Sequence, residues 1–339
     1  MKAAELTAFG APLVYRDVPD PHAGPGEVVM RLEACGIDGT DLKLTDGFGY
    51  TPELPFIMGH EPAGVVEEIG EGVSGFRPGD RVIPYIFLIP PESAWYRQDR
   101  EQIAPDIAGV VGVKGHAGGY AERLALPARQ LVAIPDGVSP HDAAVHCDAG
   151  LTAFHAVRRA RLREGESVLI IGVGGVGSFA IQYARHVGAT VLAVERNAHK
   201  AAWARTLGAQ EAVPGDGIAL ARTQNGGRGV DCVIDIVGTE QTFAAAFEAV
   251  APGGRIVVVG YTPDSFSLSG RRLAQNEIEA IGSRAGSRAE LASALALMAS
   301  GRIRSIVTDR MPLARVNEAL AKLRAGEVTG RLVLDIGEA

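Results

Sequence analysis

Apolar positions recur along this chain with two different periods, and the change between them falls near residue 140. Before it, short β-rich runs such as EVVMRLEACGI (27–37), AGVVEEIG (63–70) and DRVIPYIFLI (80–89) alternate with turns such as PGEV and RPGDRV. This texture predicts an irregular β-barrel, with residues 91–115, which lack any clear period, as a surface lobe of undefined shape. From SPHDAAVHCDAGLTAFHAVRRARL (139–162) the period is helical, with Ser139 or Asp142 as the N-cap. Strands and helices then alternate: SVLIIGV, VGSFAIQYARHVG, TVLAVER, AHKAAWARTLG, VDCVIDIVG, EQTFAAAFEAVAPGG (240–254) and RIVVVGY (255–261). Continuous apolar strands separated by amphipathic helices predict a parallel sheet covered on both faces. From about residue 285 the pattern gives two helices and a last strand, GRLVLDI, which has no place in that sheet and is expected to return to the first domain.

A chain of 339 residues exceeds one ordinary core. The texture divides it into a β-barrel domain, residues 1–149 with 286–339, and a dinucleotide-binding α/β Rossmann domain, residues 150–285. Hydrophobic residues at 47% and charged ones at 22% suit a globular enzyme, and a net charge of −7 argues against a nucleic-acid partner. MKAAELTAFG has no signal-peptide core, and VIPYIFLIPP is too short and too proline-broken to span a membrane. The scattered cysteines Cys35, Cys147 and Cys232 fit a reducing, cytoplasmic setting.

Between a predicted strand and helix stand Gly172, Gly174 and Gly177, followed by Glu195 at the next strand end. In that context the first glycine permits the tight turn, the second the approach of a pyrophosphate, and the third close helix–strand packing. The helix start, with Gly175 and Val176, offers N–H groups to the phosphates. Glu195 suits ribose hydroxyls and repels a 2′-phosphate, which favours NAD; Arg196 beside it is either a phosphate partner or a solvated strand end. Val237 and Val259, near later strand ends, join the cofactor candidates.

A second constellation is ACGIDGTD (34–41) followed by GHE (59–61). Taken singly, Asp38 reads as a turn or capping residue, His60 as a core histidine, Thr40 as a local backbone bond and Asp41 as a turn carboxylate.

These motifs, with PGDRV, GGYAE (118–122), DAGLTAFHA (148–156), GVGGVG and the C-terminal GRLVL, occur in an order that resembles the zinc-dependent alcohol dehydrogenases of the medium-chain dehydrogenase/reductase superfamily. The resemblance spans nearly the whole chain. It implies a GroES-like catalytic domain, an inserted Rossmann domain, and hydride transfer between an alcohol, or its ketone or aldehyde, and NAD. It implies one catalytic zinc per subunit, on Asp38, His60 and Asp148. Asp38 stands where the family usually has cysteine; a minority of relatives, resembling halophilic glucose dehydrogenases, carry aspartate there and still bind zinc. Two carboxylates and an imidazole keep the formal charge of two thiolates and an imidazole, and all are accepted zinc ligands. Their harder oxygens lower zinc affinity and favour Mn²⁺ or Co²⁺ more. Cys147 is a rival ligand or a small buried apolar group.

By the same resemblance Thr40 bonds the substrate oxygen and relays its proton, Asp41 fixes the tautomer of His60, and Glu61 stands beside the metal. Thr152 and Arg331 contact the cofactor, Arg331 through the pyrophosphate, although Arg331 reads equally well as a surface strand charge. The family often places a histidine at the position of Lys43, so the outer proton relay differs here. Residues 85–115 contain no cysteine, which predicts no structural zinc. Phe48, Tyr50, Tyr85 and Trp95 are candidates to line the substrate pocket or to belong to the core. Relatives form dimers through Rossmann edge strands, for which RIVVVGYTPDSFSLS is the candidate edge, and many bacterial ones are tetramers, so the resemblance implies a homodimer or homotetramer. A zinc-free NAD(P)H-dependent quinone or enone reductase of the same superfamily, and a non-catalytic nucleotide-binding or structural protein, are the rival readings.

Overall fold

The structure is a computed structural model and describes residues 1–337. The chain divides into two compact units: Met1–Asp148 with Ser287–Ser300 and the residues from Ser305 on, and Ala149–Gly286 with Gly301–Arg304. The expected second domain did not include residues 301–304. They join it because Gln182 Nε2 donates to Arg304 O (3.2 Å) and Arg304 N to Gln182 Oε1 (2.8 Å).

In the first unit the long strand Glu27–Ile37 is the axis of a seven-stranded sheet. One of its edges pairs antiparallel with Glu61–Ile69. The other edge is shared, first by Arg123–Pro127 and then by the last strand, Arg331–Asp335. The C-terminal strand therefore returns to the first unit. Beside it, in parallel, lies Val307–Pro312, a strand between the two expected helices that the sequence pattern did not reveal. Its polar VTDRMP run lacks alternation, and its conformation is set by the neighbouring strand.

Residues 91–115 contain a short helix, Ala94–Arg97, and a small sheet in which Gly109–Val111 pairs with Phe87–Leu88 and Gly115–His116. Arg288, at the start of the helix Arg288–Ala299, binds this lobe. Its guanidinium lies 5.2 Å from the ring centroids of both Tyr85 and Tyr96, and bonds Glu101 Oε1 and Gln130 Oε1 at 3.2 Å. Tyr85 is fully buried in this packing and Trp95 lies under Arg100, whereas Phe48 is exposed.

The second unit holds six parallel strands in the order Glu211–Val213, Thr190–Val194, Ser167–Ile171, Val230–Asp235, Val250–Val258, Glu279–Gly282. This is the doubly wound order, in which the strand order reverses between Ser167–Ile171 and Val230–Asp235. Leu169, Leu192, Val233, Phe243, Phe247 and Ile256 fill one core layer, each such buried side chain contributing about 1.5–3 kcal/mol. The helix expected over 240–254 ends at Ala249. Pro252 cannot donate and Gly253 has φ +74°, so the chain leaves the helix and Val250 already begins the next strand. The start of RIVVVGY thus belongs to the strand Val250–Val258 inside the sheet, and the edge on that side is Glu279–Gly282. Among the described residues no helix is long and apolar enough to cross a membrane.

Candidate active site

Three side chains of the first unit converge where its main sheet ends. Ile37 closes the axial strand, and Asp38 follows as N-cap of the helix Gly39–Thr45. Asp38 Oδ1 accepts from Thr40 N (2.7 Å) while Asp41 Oδ2 accepts from Asp38 N (2.9 Å), a reciprocal capping box. The expectation that Asp38 caps a turn is therefore met, and capping leaves it free to face His60 as well. His60 precedes the strand Glu61–Ile69 and is buried.

Asp148 comes from a π-turn, His146–Gly150, that interrupts the expected helix between Pro140–Ala144 and Leu151–Arg159. Ser139, not Asp142, provides the cap of the first segment, its side chain accepting from Asp142 N. That segment packs on the strands Glu27–Ile37 and Glu61–Ile69, which fixes where the π-turn sits.

One ligand atom from each of Asp38, His60 and Asp148 lies within 4.8 Å of the others, the one such group of His, Cys, Asp and Glu among the described residues. His60 Nε2 is 3.6 Å from Asp38 Oδ1 and 3.7 Å from Asp148 Oδ2. These distances exceed a hydrogen bond. They suit donors around a tetrahedral cation, whose ligand atoms stand roughly 3.3–3.6 Å apart when the metal bonds are about 2.0–2.2 Å. His60 Nε2 is buried with no hydrogen-bond partner, so the donor set fits a divalent metal. Burial alone would lower the His60 pKa, but the Asp38, Asp148 and Asp41 carboxylates raise it well above the ordinary value. A field strong enough to hold a proton on a buried imidazole also suits a dication. Cys147 is not in the group: its thiol donates to Pro62 O at 3.3 Å, and burial keeps it protonated.

Glu61 and Arg331 stand behind the three donors. Gly36 is paired across the sheet with Glu61, and a Cβ on Gly36 would lie 2.0 Å from Glu61 Oε2, so only glycine leaves room for that carboxylate. Arg331 is no surface charge. It is buried, forms an ion pair with Glu61, and has Nη1 3.8 Å from Asp38 Oδ2. Burial pushes the Glu61 pKa up to about 7 against the pull of Arg331. Thr40 is half-buried on the first turn after Asp38. Lys43 is half-buried on the same helix, its pKa lowered by burial. Tyr120, in the GGYAE motif, escaped the sequence reading as a site residue. It is fully buried beside Asp41, whose charge, after burial, is the next cause of its raised pKa.

In the second unit the helices beginning at Ala198, Gly217, Glu240 and Gly270 are each capped by a preceding side chain, those of Asn197, Asp216, Thr239 and Ser269. The helix Gly175–Val187 has Gly174 there and no side-chain cap. A Cβ on Gly174 would meet nothing within 4 Å, so the protein's own packing does not require glycine. A Cβ on Gly177 would lie 2.0 Å from Gly172 O, which forbids any side chain. Open space over an uncapped helix start is a cradle for phosphate.

Next to it is a cavity of about 370 Å³ lined by Gly172, Glu195, Arg196, Val237 and Thr239, among others. Glu195 also braces the glycine-rich turn, Oε2 accepting from Val173 N (2.9 Å). Arg196 is exposed and has no ion-pair partner among the described residues. Asp235, a buried acid that the sequence reading passed over, shapes the wall by accepting from Val237 N (2.9 Å), Gly238 N (3.0 Å) and Thr242 Oγ1 (2.8 Å). Val259 N bonds Asp235 O, and Thr152 is buried on the helix Leu151–Arg159.

Residues 24–136 match the family model described as alcohol dehydrogenase GroES-like domain, and residues 175–300 the one described as zinc-binding dehydrogenase. The chain is 34% identical over 344 residues to an alcohol dehydrogenase of Geobacillus stearothermophilus, covering 100% of both. It is 31% identical to an acryloyl-coenzyme A reductase of Metallosphaera sedula, covering 98% of this chain and 99% of the relative. A crystal structure of an NAD-dependent alcohol dehydrogenase superposes with a TM-score of 0.92 at 30% identity, covering 99% of this chain and 100% of that one.

Proposed function

The chain belongs to the zinc-type alcohol dehydrogenase family of the medium-chain dehydrogenase/reductase superfamily, and from that premise we propose that it transfers hydride between an alcohol, or its carbonyl, and NAD(H). The observation that carries the reading is the partnerless, buried His60 Nε2 facing the Asp38 and Asp148 carboxylates. When bound there, one zinc ion supplies Lewis acidity that eases loss of the substrate hydroxyl proton.

The chain's own groups do the rest. Asp41 Oδ1, 3.7 Å from His60 Nδ1, favours the tautomer whose Nε2 is free to ligate. Thr40 is the hydroxyl nearest in sequence to Asp38 and takes the substrate proton. Lys43, in place of the family's histidine, leaves the onward transfer to ribose hydroxyls or water. Arg331 neutralises Glu61, which keeps an uncompensated anion away from the donors and holds Glu61 as a neighbour to them. Gly174 and the first-turn N–H groups of Gly175, Val176 and Gly177 receive the pyrophosphate, and Glu195 the ribose hydroxyls, which favours NAD over NADP. The nicotinamide, so placed, is the hydride partner.

A second reading is supported by the acryloyl-coenzyme A reductase relative: hydride delivery to an activated C=C bond. One experiment separates them. Purified protein is offered a panel of primary, secondary, sugar and aromatic alcohols with NAD, and enones with NADH or NADPH, before and after chelation. Alcohol-dependent NADH formation that chelation abolishes and zinc restores supports the first reading. Chelator-resistant enone reduction without alcohol oxidation overturns it.

A further inference from the structure

Three buried polar atoms without hydrogen-bond partners cluster behind the metal-facing nitrogen: Tyr120 Oη, Asp41 Oδ1 and His60 Nδ1. We propose that Tyr120 is a positioning residue, its hydroxyl donating to Asp41 Oδ1, which in turn holds the Nδ1–H of His60 and so points the Nε2 lone pair at Asp38 and Asp148. The inference deepens the metal reading above and rests on it.

The backbone delivers Tyr120 to this place. Tyr120 N bonds Met58 O (2.9 Å) and Gly119 N bonds Gly59 O (2.7 Å), which clamps the GGYAE segment along the residues leading into His60. The ring is held where a residue 59 side chain would be. Asp41 Oδ2 is engaged by Asp38 N, so Oδ1 is the oxygen left for the tyrosine and the imidazole. Burial, then the charges of Asp41 and Cys35, keep the phenol protonated, so it acts as a donor. A donor on Oδ1 restrains the carboxylate, and a restrained carboxylate restrains the ring whose Nδ1 it faces at 3.7 Å. The GHE and GGYAE motifs, far apart in sequence, are thus parts of one device.

The test titrates cobalt into the full-length, chelator-stripped protein, reading the dissociation constant and the visible absorption band, for wild type, Tyr120→Phe, Asp41→Asn and the double variant. Tyr120→Phe keeps the ring and removes the donor. We expect it to weaken cobalt binding about 3–10-fold and to shift the band, with Asp41→Asn weakening binding about 10–100-fold. Because Tyr120 acts through Asp41, the double variant should bind no more weakly than Asp41→Asn. Cobalt affinity within twofold of wild type in Tyr120→Phe, or a double variant whose loss equals the product of the single losses, overturns the proposal. A wild type that binds no cobalt sinks the metal reading itself, and this inference with it.

Discussion

The ring of Tyr120 fills the space that a side chain on residue 59 would need: a Cβ on Gly59 would lie 2.4 Å from Tyr120 Cδ1, at a backbone φ of +95°. Both the close approach and the left-handed backbone exclude other residues, and the next residue is His60. Gly59→Ala should therefore destabilise the protein by about 2–4 kcal/mol and displace His60, through strain and overpacking. Thermal unfolding together with zinc stoichiometry measures this; a variant with wild-type melting and full zinc content would show that the packing around residue 59 yields.

On the proposed function Asp38 has two duties, capping a helix and binding metal, and one substitution separates them. Cysteine at this position cannot replace the cap on Thr40 N, which costs about 1 kcal/mol of stability in the metal-free protein. Its softer sulfur should bind zinc more tightly than the carboxylate does. Asp38→Cys should thus melt lower when stripped and hold zinc more strongly in a competition with a chromophoric chelator. Unchanged zinc affinity would mean that residue 38 is not a ligand.

The glycines of the second unit predict opposite outcomes. Gly177→Ala places a Cβ against Gly172 O and should unfold the protein at a clearly lower temperature. Gly174→Ala meets no protein atom within 4 Å and should leave melting within a few degrees, while weakening NAD binding at least tenfold by occupying the phosphate's approach. Fluorescence titration with NADH distinguishes the two. Wild-type affinity in Gly174→Ala would remove the cradle from the account.

Arg288 holds the 91–115 lobe from the far end of the sequence, stacked with Tyr85 and Tyr96 and bonded to Glu101. Replacing it with alanine should cost about 1–3 kcal/mol and open the lobe to limited proteolysis within residues 91–108. Cleavage that stays at the wild-type rate would show that the lobe is held by other contacts.

A pH effect follows from Asp231, in the second unit. Burial works to raise its pKa, but hydrogen bonds from Ser167 N, Ser167 Oγ and Asn225 Nδ2 prevail and hold it below the ordinary 3.8. A depressed carboxylate contributes stability above the unfolded value, and that contribution is lost as pH falls through the lower folded value. Asp231→Asn should be less stable than wild type at neutral pH, and the gap should narrow below about pH 4. Urea unfolding at neutral and acid pH reads both numbers; a gap of constant size would rule out the carboxylate's charge as its source.

Much of this molecule was legible from its pattern, for definable reasons. The βαβ run reads clearly because buried parallel strands are apolar throughout, and the glycine turn because its spacing follows from sterics. Val307–Pro312 was hidden because its polar residues take strand form only beside Arg331–Asp335. The π-turn that aims Asp148 was hidden because HCDAG is compatible with plain helix, and packing on the sheet below decides otherwise. Arg331 stayed ambiguous because its partner, Glu61, is its neighbour only once the last strand returns to Glu27–Ile37. The proposed ligand positions came from motif resemblance, whereas the proposed role of Tyr120 needed the contact with residue 59, which no local pattern encodes.

The most direct measurement is calorimetric titration of zinc into chelator-stripped wild type and His60→Ala. The account predicts one equivalent bound by the wild type, with no structural site to add a second, and none bound by the variant. Wild type that takes up no zinc, or a variant that still binds one equivalent, contradicts a metal centre built on Asp38, His60 and Asp148.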